Sequence, residues 1–159
     1  VCWNRKGKRF ISGGSISMIG FKDLYRLSLS IVKGKKPLVD SQYKSRFYKL
    51  SEILPLVYQG LDHLKESFPN KSYTWYARAL TRALVGVRKV GGKHWVVRGF
   101  KEFGDVSERY NVVQLPDGKY VCDCYSRSYG YYRRGKICTH IAAVILARKM
   151  KYRSLILYI

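Results

Sequence analysis

Apolar positions recur with a helical period in the first half of the chain and with a strand period in the second. Phe21, Leu24, Tyr25, Ile31 and Val32 form a stripe that predicts a helix over 21–33. A second stripe runs through Ile53, Leu54, Val57, Leu61 and Leu64 and stops before Pro69. Ser51 is the expected cap of that helix, with Pro55 tolerated in its first turn. A third helix is expected to start near Ser72 and to carry Ala77, Leu80 and Leu84 inward.

From Val85 the period shortens to two. Val85–Val90 and Lys93–Arg98 read as two strands joined by Gly91-Gly92. Tyr110–Leu115 and Lys119–Cys124 read as a second hairpin around Pro116-Asp117-Gly118. A last helix is expected near Thr139, following Ile141, Val144, Ile145 and Met150, with Arg148, Lys149 and Lys151 at its C-terminal end, where cations oppose the helix dipole. The fold class is α+β: an N-terminal helical region, then β-hairpins, then a C-terminal ββα unit. Three segments follow: a basic arm (1–20), a helical region (21–84) and a hairpin plus ββα module (85–159).

Charge changes the picture. Among 159 residues there are 31 Lys+Arg and 10 Asp+Glu, a net +21. Hydrophobic content of 47% and aromatic content of 14% are enough to build a core, unlike a disordered basic tail. So few acids argue against carboxylate-rich catalytic sites, and the self-repulsion argues for a polyanionic partner. The longest clean apolar run, Ile141–Ala147, is far below the roughly 20 residues of a spanning helix. No apolar stretch of signal-peptide length follows the basic N-terminus. The expectation is an intracellular, cytoplasmic protein, ribosome- or nucleoid-associated, in which clustered Cys and His favour a metal over disulfides.

The chemistry concentrates in Cys122-Asp123-Cys124 and Cys138-Thr139-His140. Cysteines at i and i+2 of a strand share a face, and the second pair sits where a loop becomes a helix, with Thr139 as the available cap. Three thiolates and one imidazole make a closed tetrahedral set for one structural Zn2+, with no position left for water. The alternatives are a strained Cys122–Cys124 disulfide, a disulfide from Cys138 to Cys2 or to one of the pair, and His140 as an ordinary core histidine. Cys2 reads as a small apolar residue. His63 and His94 have no visible catalytic partner, and His63, beside Asp62 on a helix face, reads as structural.

Cys-x-Cys, thirteen residues, then Cys-x-His resembles the SWIM zinc-binding module over about residues 105–150. The surrounding Tyr110-Asn111-Val112-Val113 and Cys138-Thr139-His140-Ile141-Ala142-Ala143 fit it; Thr139 stands where a basic residue is commonest. The resemblance implies a ββα zinc finger used for binding DNA, RNA or protein. It says little about residues 1–84. No P-loop motif and no acidic transposase triad accompanies it.

Between the ligand pairs, Tyr125, Tyr129, Tyr131 and Tyr132 occur together with Arg127, Arg133, Arg134 and Lys136, without an acid. Such a loop offers charge to phosphates and rings to unpaired bases, each stack contributing about 1–3 kcal/mol. The bland alternative packs the tyrosines on the module. Arg5, Lys6, Lys8 and Arg9 beside Trp3 and Phe10 suggest an arm that orders on a polyanion, and Lys35 and Lys36 extend the basic surface. Residues 1–50 hold net +10, against +5 for 51–100 and +6 for 101–159. Charge spread over all three parts, where a duplex reader concentrates it on one helix, favours structured RNA. The expectation is therefore a non-enzymatic, zinc-stabilised RNA-binding protein, ribosomal or ribosome-associated, with ribosomal RNA and ribosomal proteins as partners and neither membrane nor small-molecule substrate. A DNA-binding SWIM protein (recombination mediator, mobile-element or chromatin factor) and a protein–protein adaptor are the competing readings.

Overall fold

The computed structural model describes residues 20–35, 50–126 and 137–153. Its elements run α1 (Phe21–Val32), α2 (Leu50–Ser67), α3 (Tyr73–Val85), β1 (Val87–Gly91), β2 (His94–Arg98), β3 (Arg109–Gln114), β4 (Tyr120–Cys122) and α4 (Thr139–Lys149). The mixture of helices with an antiparallel sheet is the α+β class read from the sequence. The two hairpins are not separate units: they form one four-stranded antiparallel sheet in the order β1-β2-β3-β4.

The helices follow their stripes. Leu24, Leu27, Ile31 and Val32 of α1 are buried, as are Ile53, Val57, Leu61 and Leu64 of α2. Ser51 is not the cap of α2. It already lies inside the helix, and Pro55 stands beyond the first turn with its ring exposed to solvent. Ser72 does cap α3, its hydroxyl accepting the Trp75 N–H at 3.1 Å. α3 is covered almost all round, from Trp75 to Val85. Even Ser28 and Thr81 are buried between α1 and α3, their hydroxyl oxygens 2.9 Å apart.

In the first hairpin Gly91 pairs with His94, so the turn is Gly92-Lys93, one residue later than the two glycines suggested. The register slips between Lys89 and Gly91, and Val90 is left as an exposed bulge residue. β2 and β3 align Trp95 with Val112 and Val97 with Tyr110. These four, with Val87 and Cys122, make the inner face of the sheet.

α4 fills the space between sheet and helices. Ala142, Leu146 and Met150 join the helical core, while Ile141, Ala143, Val144 and Ala147 join the core under the sheet. A helix buried on two sides is apolar nearly all round, which is why Ile141–Ala147 contains no polar residue. Gly60 of α2 allows the close approach: a Cβ there would stand 3.2 Å from Leu146 Cδ2. At the far end Arg148 Nη1 donates to the Tyr120 hydroxyl at 2.6 Å, and its guanidinium lies 5.2 Å from the Trp95 ring centre. Among the described residues no helix is long and apolar enough to cross a membrane.

Candidate metal centre

The four residues picked out by spacing converge. One ligand atom from each of Cys122, Cys124, Cys138 and His140 lies within 4.8 Å of all the others, and all four side chains are buried. Thiolates at about 2.3 Å from a tetrahedral zinc stand roughly 3.8 Å apart. The observed cluster thus needs only a small contraction to close on one ion.

Each donor is delivered differently. Cys122 ends β4, paired with Val112. Cys124 is not on the strand: the chain leaves the sheet after Cys122 and turns through a 3-10 helix over Asp123–Ser126, which brings the second sulfur round beside the first. Strand alternation thus gave the right neighbour for the wrong reason. Cys138, not Thr139, is the N-cap of α4, its Sγ accepting the Ile141 N–H at 3.5 Å. A sulfur at a helix N-terminus is favoured as thiolate by the dipole. His140 follows in the first turn of α4.

The thiols influence one another strongly. Hydrogen bonds from Cys122 and from Cys124, together with His140, hold Cys138 far below the ordinary thiol range. Hydrogen bonds with Cys124 and Cys138, and burial besides, push Cys122 up. Burial works against charge on His140, yet Asp105 and the adjacent Cys124 and Cys138 sulfurs push it up to about 10 in the metal-free protein. A buried cluster of three sulfurs and one imidazole has the chemistry of a cation site.

Two residues of the site had no signal in the sequence reading. Asp105 Oδ1 lies 3.2 Å from His140 Nε2, and Asp105 is bound by both terminal nitrogens of Arg82. Arg82 is a buried cation on the inward face of α3, and its Nε donates to Thr139 Oγ1 at 3.1 Å. The loop geometry brings Asp105 there. Gly99 passes so close to Ser107 that a Cβ would be 1.9 Å from the Ser107 carbonyl oxygen, and Gly104 turns the chain with φ of 82°. Asp105 Oδ2 then accepts the Phe100 N–H at 2.7 Å. Burial alone would raise the Asp105 pKa, but hydrogen bonds from His140 and Arg82, and the Arg82 charge, hold it well below the carboxylate range.

The other sequence candidates fall elsewhere. Lys35 is exposed just beyond α1, and Tyr125 lies on the 3-10 turn that carries Cys124. Arg5, Lys6, Lys8, Arg9 and Lys36, together with Arg127, Tyr129, Tyr131, Tyr132, Arg133, Arg134 and Lys136, lie outside the described residues, as does Cys2. His94 lies on the outer sheet face, 2.8 Å from Asn111 Oδ1, and Asn111 in turn donates to Asp123 Oδ2 at 3.0 Å. His63 is half-buried on α2 and lines a shallow groove with Tyr120, Ile145 and Arg148.

No protein-family model matches the chain, and neither a curated protein nor a solved structure does.

Proposed function

We propose that this chain is a non-enzymatic protein that binds structured RNA, held in shape by one structural zinc ion on Cys122, Cys124, Cys138 and His140. The observation that carries the reading is the buried convergence of three sulfurs and one imidazole in a chain of net charge +21. Four donors of this softness suit Zn2+, and they complete its tetrahedral shell. A saturated ion has no site for a reacting water, so its role is to hold β4 and α4 together. The likeness of Cys-x-Cys and Cys-x-His to the SWIM module supports the same assignment. The Tyr/Arg-rich sequence between the two ligand pairs supplies cations for phosphates and rings for unpaired bases, and it contains no acid. A ribosomal or ribosome-associated role agrees with positive charge in every part of the sequence.

The test is recovery of the tagged protein from its native cells at low salt, with and without RNase. Ribosomal RNA and ribosomal proteins that disappear on RNase treatment support the proposal. DNA-repair or recombination partners that survive RNase overturn it in favour of a DNA-binding role. Purified protein should lose affinity for RNA steeply as salt rises, because counterion release drives such binding; an affinity that stays flat contradicts the electrostatic account.

A further inference from the structure

We propose that His140 binds the metal through Nδ1, and that Asp105, clamped by Arg82, is the positioning residue that imposes this tautomer and makes α3 part of the metal centre. The inference rests on the metal reading above and concerns which atoms serve it.

Imidazole has two nitrogens in different surroundings here. Nε2 lies 3.2 Å from Asp105 Oδ1, with both side chains almost fully buried. An ionised carboxylate only accepts, so Nε2 carries the hydrogen. A ligating imidazole is neutral, so its free lone pair then lies on Nδ1. That atom is buried and has no hydrogen-bonding partner. A buried ring nitrogen without a partner is costly unless something binds it. It belongs to the ring that the Cys124 and Cys138 sulfurs adjoin, so a cation held by the thiols satisfies it.

Asp105 is an orienting group and not a fifth ligand, because its oxygens are already occupied. Oδ2 receives the Phe100 N–H and Arg82 Nη1, while Oδ1 receives Arg82 Nη2 at 3.1 Å and the imidazole. The same guanidinium reaches Thr139 through Nε, between ligands Cys138 and His140. One buried fork therefore fixes both the carboxylate that orients His140 and the helix start that carries two ligands. The ring plane is held as well: Tyr110 stacks on His140 with centroids 4.0 Å apart, and the Tyr110 hydroxyl accepts the Val106 and Ser107 N–H groups. Outer partners of this kind typically change metal affinity by about ten- to a hundred-fold.

The experiment uses the full chain loaded with zinc. Long-range 1H–15N correlation of the histidine rings should show His140 with a metallated Nδ1 and a protonated Nε2. Zinc competition against a chromophoric chelator should give about ten- to a hundred-fold weaker binding for Asp105→Asn. A metallated Nε2 overturns the proposal, and so does an Asp105→Asn variant that folds and binds zinc as tightly as the parent. If Asp105→Asn does not fold, the ring spectrum of the unmutated protein decides. Zinc bound at one equivalent with His140 unligated sinks this inference and leaves a thiolate metal site standing. Failure of the unmutated protein to bind zinc removes both.

Discussion

Replacing Arg82 by Met tests how much of the fold hangs on the buried charge cluster. Met keeps most of the aliphatic length of Arg and removes the guanidinium. The parent side chains of Arg82 and Asp105 are 2% and 7% exposed, so water screens their interaction little. Arg82→Met deletes both donors to Asp105 and the donor to Thr139, and it leaves a buried carboxylate with only Phe100 N–H and His140 for partners. Breaking a buried pair on one side typically costs 3–5 kcal/mol. Partial shielding by His140 places the expectation near the lower end, about 3 kcal/mol. Against a total stability of about 5–15 kcal/mol that is a large share. Urea unfolding of the zinc-loaded chain, followed by circular dichroism, measures it. A second variant, Asp105→Asn, and the double variant complete a cycle. The double variant should recover more than about 1 kcal/mol relative to the sum of the singles, since the uncompensated charge is gone. An Arg82→Met cost below about 1 kcal/mol with no coupling in the cycle would refute the reasoning, and would mean the carboxylate finds water.

Further outcomes can be stated. Cys138→Ser should abolish stoichiometric zinc, read by elemental analysis, and leave the β4–α4 region open to rapid amide exchange; full occupancy with unchanged exchange would count against the ligand set. The depressed Asp105 pKa has a definite sign: its stabilisation is present above the ordinary carboxylate value of about 4 and is lost as pH falls through the folded-state value. The stability gap between parent and Asp105→Asn should therefore shrink below about pH 4; a gap that widens in acid would contradict the assignment. Gly99→Ala should destabilise by about 2 kcal/mol or more in thermal unfolding, because its Cβ would meet backbone and not a movable side chain. A neutral effect would mean that the Gly99–Ser107 approach relaxes freely.

The sequence was most informative where one periodicity or one spacing sufficed. The stripes of α1 and α2 were visible because each helix buries a face, and the four clustered Cys and His residues because two close pairs are rare by chance. Boundaries failed where tertiary geometry overrode a local rule. Cys124 lies past the end of β4 because the chain must curl back to bring two sulfurs to one point. Cys138 took the capping role assigned to Thr139, whose hydroxyl is instead occupied by Arg82. Arg82 and Asp105 were not legible at all. They are 23 residues apart, and Asp105 is 35 residues from His140, so no local pattern links them. Nothing in the helical stripe distinguishes an inward arginine that is paired from one that reaches solvent.

The place of α4 between the sheet and the other helices has a consequence for how the chain is made. Synthesis proceeds from the N-terminus, so α1, α3 and all four strands are made before residues 139–149. Until then Leu84 and Val57 on one side, and Trp95 and Val112 on the other, have no common filler for the space between them. The growing chain carries two half-finished apolar surfaces, and the element that covers both is made after them. Closure of both layers then waits on that one segment, and until it is in place the exposed apolar surfaces favour aggregation.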